Sequence, residues 1–111
     1  MNRATLIGRL TADPVVRYSG DLAIASFTLA IDRPPKRDCE KEADFIKIKA
    51  FGKTAEFCAN YMRKGKRASV DGRIETGSYF GESGDKVFTT EIRAERVEVI
   101  DWPEKDVSHD W

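Results

Sequence analysis

The feature that most constrains the fold is an alternation of apolar and polar residues, of period two, which runs through most of the chain and is interrupted once. This pattern is typical of β-strands with one buried face, because successive side chains point to opposite sides. Four such runs are bounded by turn residues, and they cover residues 2–10, 22–32, 44–51 and 66–79. The chain is therefore predicted to be mostly β.

A fifth run follows the polar loop 80–85 and shows a change of parity. Its apolar positions are even as far as Ala94 and odd from Val97 onwards. A slip of one residue in such a pattern indicates an extra residue in one strand of a ladder. The sequence predicts a β-bulge near Glu95 and Arg96.

The interruption lies between the third and fourth runs and has helical spacing. After Gly52, a stripe of apolar residues recurs at Ala55, Cys58, Ala59 and Met62. Gly65 is placed to cap a helix of about ten residues. Five strands with one short helix between strands 3 and 4 are the element order of an all-β OB-fold, a five-stranded Greek-key barrel. A ubiquitin-like or SH3-like barrel does not place its sole helix there.

Within this barrel, burial can be predicted from the parity of each run. In the fourth run we expect Ala68, Val70 and Ile74 to be buried, with Gly72 where a curved strand bends. Among the aromatic residues, Phe27, Phe57 and Phe88 are expected in the core, whereas Phe45 and Tyr79 are expected to be exposed. The pattern leaves Phe51 and Tyr18 open.

Length and charge favour one domain with a distinct tail. The chain has 111 residues and a formal net charge of zero, but residues 101–111 carry −3 and residues 1–100 carry +3. We expect residues 1–100 to form the domain and residues 101–111 a short, acidic, flexible tail. No apolar run approaches the roughly 18 residues of a membrane span, so the expected location is the cytoplasm.

Catalytic and metal chemistry are not indicated. The two cysteines, Cys39 and Cys58, have neither metal-ligand nor disulfide spacing, and the single histidine is His109. The glycines form no phosphate-cradling motif. We therefore expect no catalytic residue, no metal and no cofactor, and reduced thiols.

The third run instead indicates a binding surface. Its outward positions are Phe45, Lys47, Lys49 and Phe51, two rings with two cations between them. A water-facing side needs no rings, and a core-facing side does not tolerate lysines. Proteins that hold single-stranded nucleic acid without sequence preference combine rings, on which bases stack, with cations that follow the phosphates. This strip is the predicted path of a single strand.

Five segments, in order and spacing, resemble the bacterial single-stranded DNA-binding protein family over residues 1–100. They are NRATLIGRLTADPVVRYSG, ASFTLAID, DFIKIKAFGKTAE, YMRKGKRASVDGRIETGSY and TTEIRAERVEVI. The resemblance implies an OB-fold that coats and protects single-stranded DNA during replication, recombination and repair, near the nucleoid. It also implies a homotetramer formed by pairing first strands, with a dimer as the alternative.

The resemblance also implies which residues touch DNA. The expected stacking rings are Phe45, Phe51 and Tyr79. The expected phosphate contacts are cations at corresponding positions, together with Lys49 of the strip: Arg3, Lys47, Lys49, Lys53, Arg67 and Arg73.

Two segments depart from the family pattern. Residues 34–37, Pro-Pro-Lys-Arg, stand where some members carry another stacking tryptophan. The chain stops at DWPEKDVSHDW, without the acidic, phenylalanine-ended tip that recruits replication and repair proteins. Such partners are therefore left open: either recruitment works differently, or the role is more limited, as in phage or mobile-element members. The competing interpretation is an OB-fold that binds mainly protein and only weakly DNA, and an enzyme is a distant third. The sequence leaves DNA and RNA open as the bound single strand.

Overall fold

The computed structural model describes residues 1–34 and 42–100. This part of the chain contains six strands and one helix: β1 (Ala4–Leu10), β2 (Val15–Ser19), β3 (Leu22–Asp32), β4 (Ala43–Phe51), α1 (Lys53–Tyr61), β5 (Arg67–Phe80) and β6 (Lys86–Val99). The five predicted runs correspond to β1, β3, β4, β5 and β6. The short strand β2 is additional, and the alternation did not reveal it because its residues are almost all exposed.

The strands close into a barrel. Along the sheet their order is β1-β5-β6-β4-β3-β2, and β1 pairs with β3 as well. The β1–β3 pairing therefore closes five strands into a ring, and β2 extends the sheet beside β3. In the chain, α1 lies between β4 and β5. The β4–β6 ladder is parallel, and the others are antiparallel. The predicted all-β OB-fold is confirmed.

Two joints of this barrel are narrow. Between β1 and β3 the paired residues are Arg9 with Ala30 and Leu10 with Leu29. Between β4 and β6 they are Ile48 with Ile92 and Lys49 with Arg93. Elsewhere the ladders are long, since β3 and β4 pair along nine positions.

The inward side chains of the barrel form one apolar core. Leu29, Ile48, Met62 and Val70 are among its largest fully buried members. Helix α1 covers one end and contributes Ala55 and Cys58 from its buried side. No buried polar residue occurs in the part of the chain that the structure describes.

The predicted bulge is present in β6. Asp71 pairs with Arg96 and Gly72 pairs with Ala94, so Glu95 is the residue without an opposite partner. At Gly72 the two strands approach closely, since an added Cβ would lie 2.1 Å from the carbonyl oxygen of Arg93. A glycine is required at this position because any side chain would collide with the backbone of the neighbouring strand.

The helix ends earlier than predicted. Its last residue is Tyr61, and the amide of Met62 closes the final turn by donating to the carbonyl of Cys58 at 3.0 Å. Gly65, the expected cap, lies in the following turn with a φ of 87°. There its amide donates to the carbonyl of Leu10 at 2.9 Å, which joins the turn to β1.

Beyond the barrel, β5 and β6 continue as a projecting hairpin arm, residues 75–91. Each strand has 14 residues, and β1 pairs with β5 only as far as Gly72. Two expectations of burial are wrong here: Ile74 at the base of the arm and Phe88 within it are both exposed. The alternation continues into the arm, but among the described residues no second layer covers it.

The loop between β3 and β4 is joined at its ends by Arg33. Its guanidinium donates to Asp44 at 2.7 and 3.0 Å and to Glu42 at 2.9 Å. The prediction for residues 34–37 lies largely outside the described residues, as do those for Cys39, His109 and the tail 101–111.

Candidate nucleic-acid interface

An open groove separates the beginning of β4 from the hairpin arm. It forms because β4 and β6 pair only at Ile48 and Lys49 of β4 and then diverge toward their N-terminal ends. Its volume is about 560 Å³. The walls come from β4, β5 and β6: Phe45, Ile46, Lys47, Ile74, Tyr79, Val87, Phe88, Thr89, Thr90, Glu91 and Ile92.

Three exposed rings line this groove from three different strands. Phe45 of β4 is 67% exposed, Tyr79 of β5 is 56% exposed and Phe88 of β6 is 75% exposed. The exposure predicted for Phe45 and Tyr79 is confirmed. Large apolar side chains with this exposure around one concave surface are typical of a binding site.

Sequence reasoning missed Phe88. Its parity placed it on the side that faces the core within the barrel, but the arm has left the barrel at that point. The useful signal is length, because β5 and β6 have 14 residues each whereas β4 has 9. The additional residues of β5 and β6 must therefore extend beyond the core. The Lys86 ammonium lies 5.5 Å from the centroid of the Phe88 ring, so a cation accompanies this ring.

A second groove adjoins the first along β4. It has a volume of about 430 Å³ and lies between β4 and the segment 11–15. Ser26 and Thr28 of β3, which pair with Lys49 and Lys47, also line it. Both grooves contain Lys47 and Glu91, so they form one continuous surface across β4.

Of the predicted cations, Lys47 occupies the centre of this surface. It is exposed, and in the described part of the chain no carboxylate lies within ion-pair distance of it. Its charge is therefore available to an anionic ligand. Lys49 lies two residues further along β4 and forms an ion pair, with its Nζ 3.4 Å from the carboxylate of Glu91.

Phe51 ends β4 and is only half-exposed. The guanidinium of Arg93 lies over its ring, 4.2 Å from the centroid. The contact is a cation–π pair between neighbouring strands. Phe51 does not line the groove that holds the other rings.

Two further predicted cations are held by carboxylates on the outer face of the barrel. Arg73 donates to Glu75 at 3.0 Å. Arg3 pairs with Asp71 at 2.8 Å and contacts Glu95 as well. Glu75 lies two residues from Arg73 on β5. The partners of Arg3 lie on β5 and β6, so its pairings depend on register and cannot be read from the sequence.

The last two predicted cations lie elsewhere. Lys53 is the first residue of α1 and lines a separate hollow with Glu95 and Arg96. Arg67 begins β5 and lines another hollow with Ile7 and Asp32. The structure does not bring the nine predicted site residues into one site, and only Phe45, Lys47 and Tyr79 share the main groove.

Among the described residues, no group of histidine, cysteine, aspartate and glutamate is arranged to hold a metal ion. Burial raises the pKa of the Cys58 thiol to about 12, which suppresses its reactivity as a nucleophile. In residues 1–34 and 42–100, no helix is long and apolar enough to span a membrane.

Known proteins share this sequence closely. The chain is 50% identical to "Single-stranded DNA-binding protein 3" of Clostridium acetobutylicum over 104 residues, which cover 92% of this chain and 72% of that protein. It is 48% identical to "Single-stranded DNA-binding protein" of Halalkalibacterium halodurans over 103 residues, 91% of this chain and 61% of that protein. The model of the single-strand binding protein family matches residues 1–100. The chain therefore belongs to the single-strand binding protein family.

Proposed function

We propose that this chain binds single-stranded DNA without sequence preference. The observation that carries the proposal is the groove in which Phe45, Tyr79 and Phe88 are exposed together beside Lys47. Unpaired bases expose their faces to such rings, whereas the bases of a duplex are already stacked on one another. The role is non-catalytic, as in the rest of the family.

The energetics support binding despite a formal net charge of zero. Each stacked base contributes roughly 1–3 kcal/mol, and three rings therefore suffice for useful affinity. Phosphate contacts add a share that falls as salt rises. Lys47 is the best placed phosphate contact, followed by Lys49, which must exchange Glu91 for phosphate. Arg3, Arg73, Lys53 and Arg67 lie outside the grooves and would contact only a strand that wraps around the barrel.

We propose further that the active form is an oligomer, a homotetramer with a dimer as the alternative. β1 pairs with β3 only at Arg9 and Leu10, and Ile7 is exposed on the same strand. An edge of this kind can accept a strand of a second copy. Coating of single strands in replication, recombination and repair, in the cytoplasm at the nucleoid, is the role that fits this activity.

The proposal is tested by fluorescence anisotropy of a labelled dT oligomer in about 50 mM salt, compared with a duplex of the same length. We expect tight binding to dT that weakens with salt and weak binding to the duplex. The variant with Phe45→Ala and Tyr79→Ala should lose most of the affinity while remaining folded. Tyr61→Ala is the control, because Tyr61 is an exposed ring on α1 that contacts Phe57 and lines neither groove.

Equal or tighter binding to the duplex would contradict the proposal. Normal binding by the double variant would leave the activity intact but move its site away from the groove. The mass of the chain in solution, with and without dT, decides between tetramer and dimer.

A further inference from the structure

We infer that Glu91 limits the affinity of this surface for single-stranded DNA, because its carboxylate competes with the phosphates of the strand for the ammonium group of Lys49. The inference rests on the proposed function, since it concerns the same two grooves. The sequence does not single out Glu91, which lies in a run where acids and bases are mixed. The contacts that single it out come from two neighbouring strands.

The first observation is the position of Glu91 where the two grooves meet. It lines both of them, and the residue that shares this position is Lys47. Among the described residues, no other acid lines the groove that contains the three exposed rings. A strand that passes from one groove to the other therefore brings its phosphates close to this carboxylate.

The second observation is the ion pair with Lys49. The Nζ atom of Lys49 lies 3.4 Å from one carboxylate oxygen of Glu91, and the two side chains are 37% and 26% exposed. A ligand can thus reach the pair without any rearrangement of the core. Glu91 neutralises Lys49 before DNA arrives, so a phosphate that binds there must displace an internal anion.

The third observation is the residue opposite Glu91 in the β5–β6 ladder, which is Glu75. Like charges directly opposite each other in a sheet are destabilising. Glu75 is compensated by Arg73 at 3.0 Å and by Arg93 at 3.5 Å, whereas Glu91 is compensated by Lys49. When a phosphate takes Lys49, Glu91 loses this cation and is left close to both the phosphate and Glu75. The net gain from binding at Lys49 is therefore small.

The test measures dT affinity of Glu91→Gln across a series of salt concentrations. Glutamine keeps the size of the side chain and removes its charge. We expect binding about threefold tighter in low salt, because Lys49 is released and the repulsion is removed. The slope of log K against log salt should become more negative by about 0.7, the value for one phosphate on a single strand.

Glu98→Gln is the matched control. Glu98 is on the same strand and pairs with Arg96 at 3.3 Å, but it lines neither groove. This variant changes the net charge equally, and its affinity and slope should equal those of the unchanged protein. Glu91→Ala, a second substitution that removes the same charge, should reproduce the slope of Glu91→Gln. Thermal unfolding followed by circular dichroism verifies that each variant is folded.

A variant without Lys49 tests whether Glu91 acts through this residue. Lys49→Met keeps an unbranched side chain and removes the ammonium group. When Glu91→Gln is added to Lys49→Met, the slope should stay the same, because there is no cation to release. An unchanged slope in this pair, beside a changed slope in the pair with Lys49 present, identifies the competition.

Each outcome has a distinct meaning. If the unchanged protein fails to bind dT, the proposed function fails and the inference with it. If it binds but neither Glu91→Gln nor Glu91→Ala tightens binding, or Glu98→Gln tightens it equally, only the inference fails. If Glu91→Gln changes the slope equally with and without Lys49, Glu91 repels the strand directly and the competition for Lys49 is wrong.

Discussion

The barrel and the hairpin arm share one sequence pattern but differ in what the pattern produces. In the barrel, the inward positions of β3 and β5, such as Leu29 and Val70, are completely buried. In the arm, the same alternation on β6 leaves Phe88 exposed. Alternation therefore reports that a strand has two different faces, whereas burial depends on whether a second layer is present.

The largest expected effect is on stability and separates the two regions. Leu29→Ala should lower the free energy of unfolding by about 3 kcal/mol, because it removes a fully buried side chain and leaves a cavity. Phe88→Ala should change it by less than about 0.5 kcal/mol, because its ring is already in water. Urea denaturation of both variants measures the difference. Equal losses would mean that the arm packs against something in solution.

A second pair of variants compares two glycines on the same strand. Gly72→Ala should cost about 2 kcal/mol of unfolding free energy, since the added Cβ would meet the backbone of Arg93. Gly77, in the arm, is the matched control: a Cβ there would meet only the side-chain oxygen of Thr89, at 3.2 Å. Gly77→Ala should be neutral within about 0.5 kcal/mol. A costly Gly77→Ala would indicate that the arm is as closely packed as the barrel.

A third pair tests whether exposure in the arm serves binding. Phe88→Ala should weaken affinity for a dT oligomer about tenfold, because one stacking surface is lost. Phe80 is the control, since it is 73% exposed on the same arm but does not line the groove. Phe80→Ala should bind like the unchanged protein. If both variants lose affinity equally, the DNA path extends to the tip of the arm.

The smallest effect is expected from the ion pair at the loop end of the barrel. Hydrogen bonds from Arg33 hold the pKa of Asp44 below its ordinary value. A lowered folded-state pKa stabilises the protein above the ordinary pKa, and this contribution is lost as pH falls through the folded value. Between about pH 6 and pH 3, the unchanged protein should therefore lose slightly more stability than Asp44→Asn. Equal losses would show that the pair contributes nothing to stability.

Much of the fold was predictable because it depends on local rules. Strand parity, the helical stripe after Gly52 and the slip at Glu95 each specify geometry within a few residues, and the OB-fold follows from their order. The short strand β2 was not predictable in this way, because it lies at an edge and only Val16 of its five residues packs against the core, which is too little for an alternation to be visible.

The site was less predictable because it depends on contacts between strands. The pairing of Lys49 with Glu91, and of Arg93 with Phe51, requires the register of β4 against β6. The exposure of Phe88 can be predicted only if the point at which β4 ceases to pair with β6 is known. The sequence pattern of one β-strand shows which residues share a face, but it does not show which residues of the next strand lie beside them.

The two narrow joints of the barrel have a mechanical consequence. With only two residue pairs at each joint, the barrel behaves as two curved sheets that meet along two short hinges. Leu29 belongs to one hinge and Ile48 to the other, and both are buried. Buried apolar side chains therefore contribute to closure at both joints, together with the backbone hydrogen bonds. The hinge at Ile48 also sets the angle at which the arm leaves the barrel, and so the width of the groove into which the rings project.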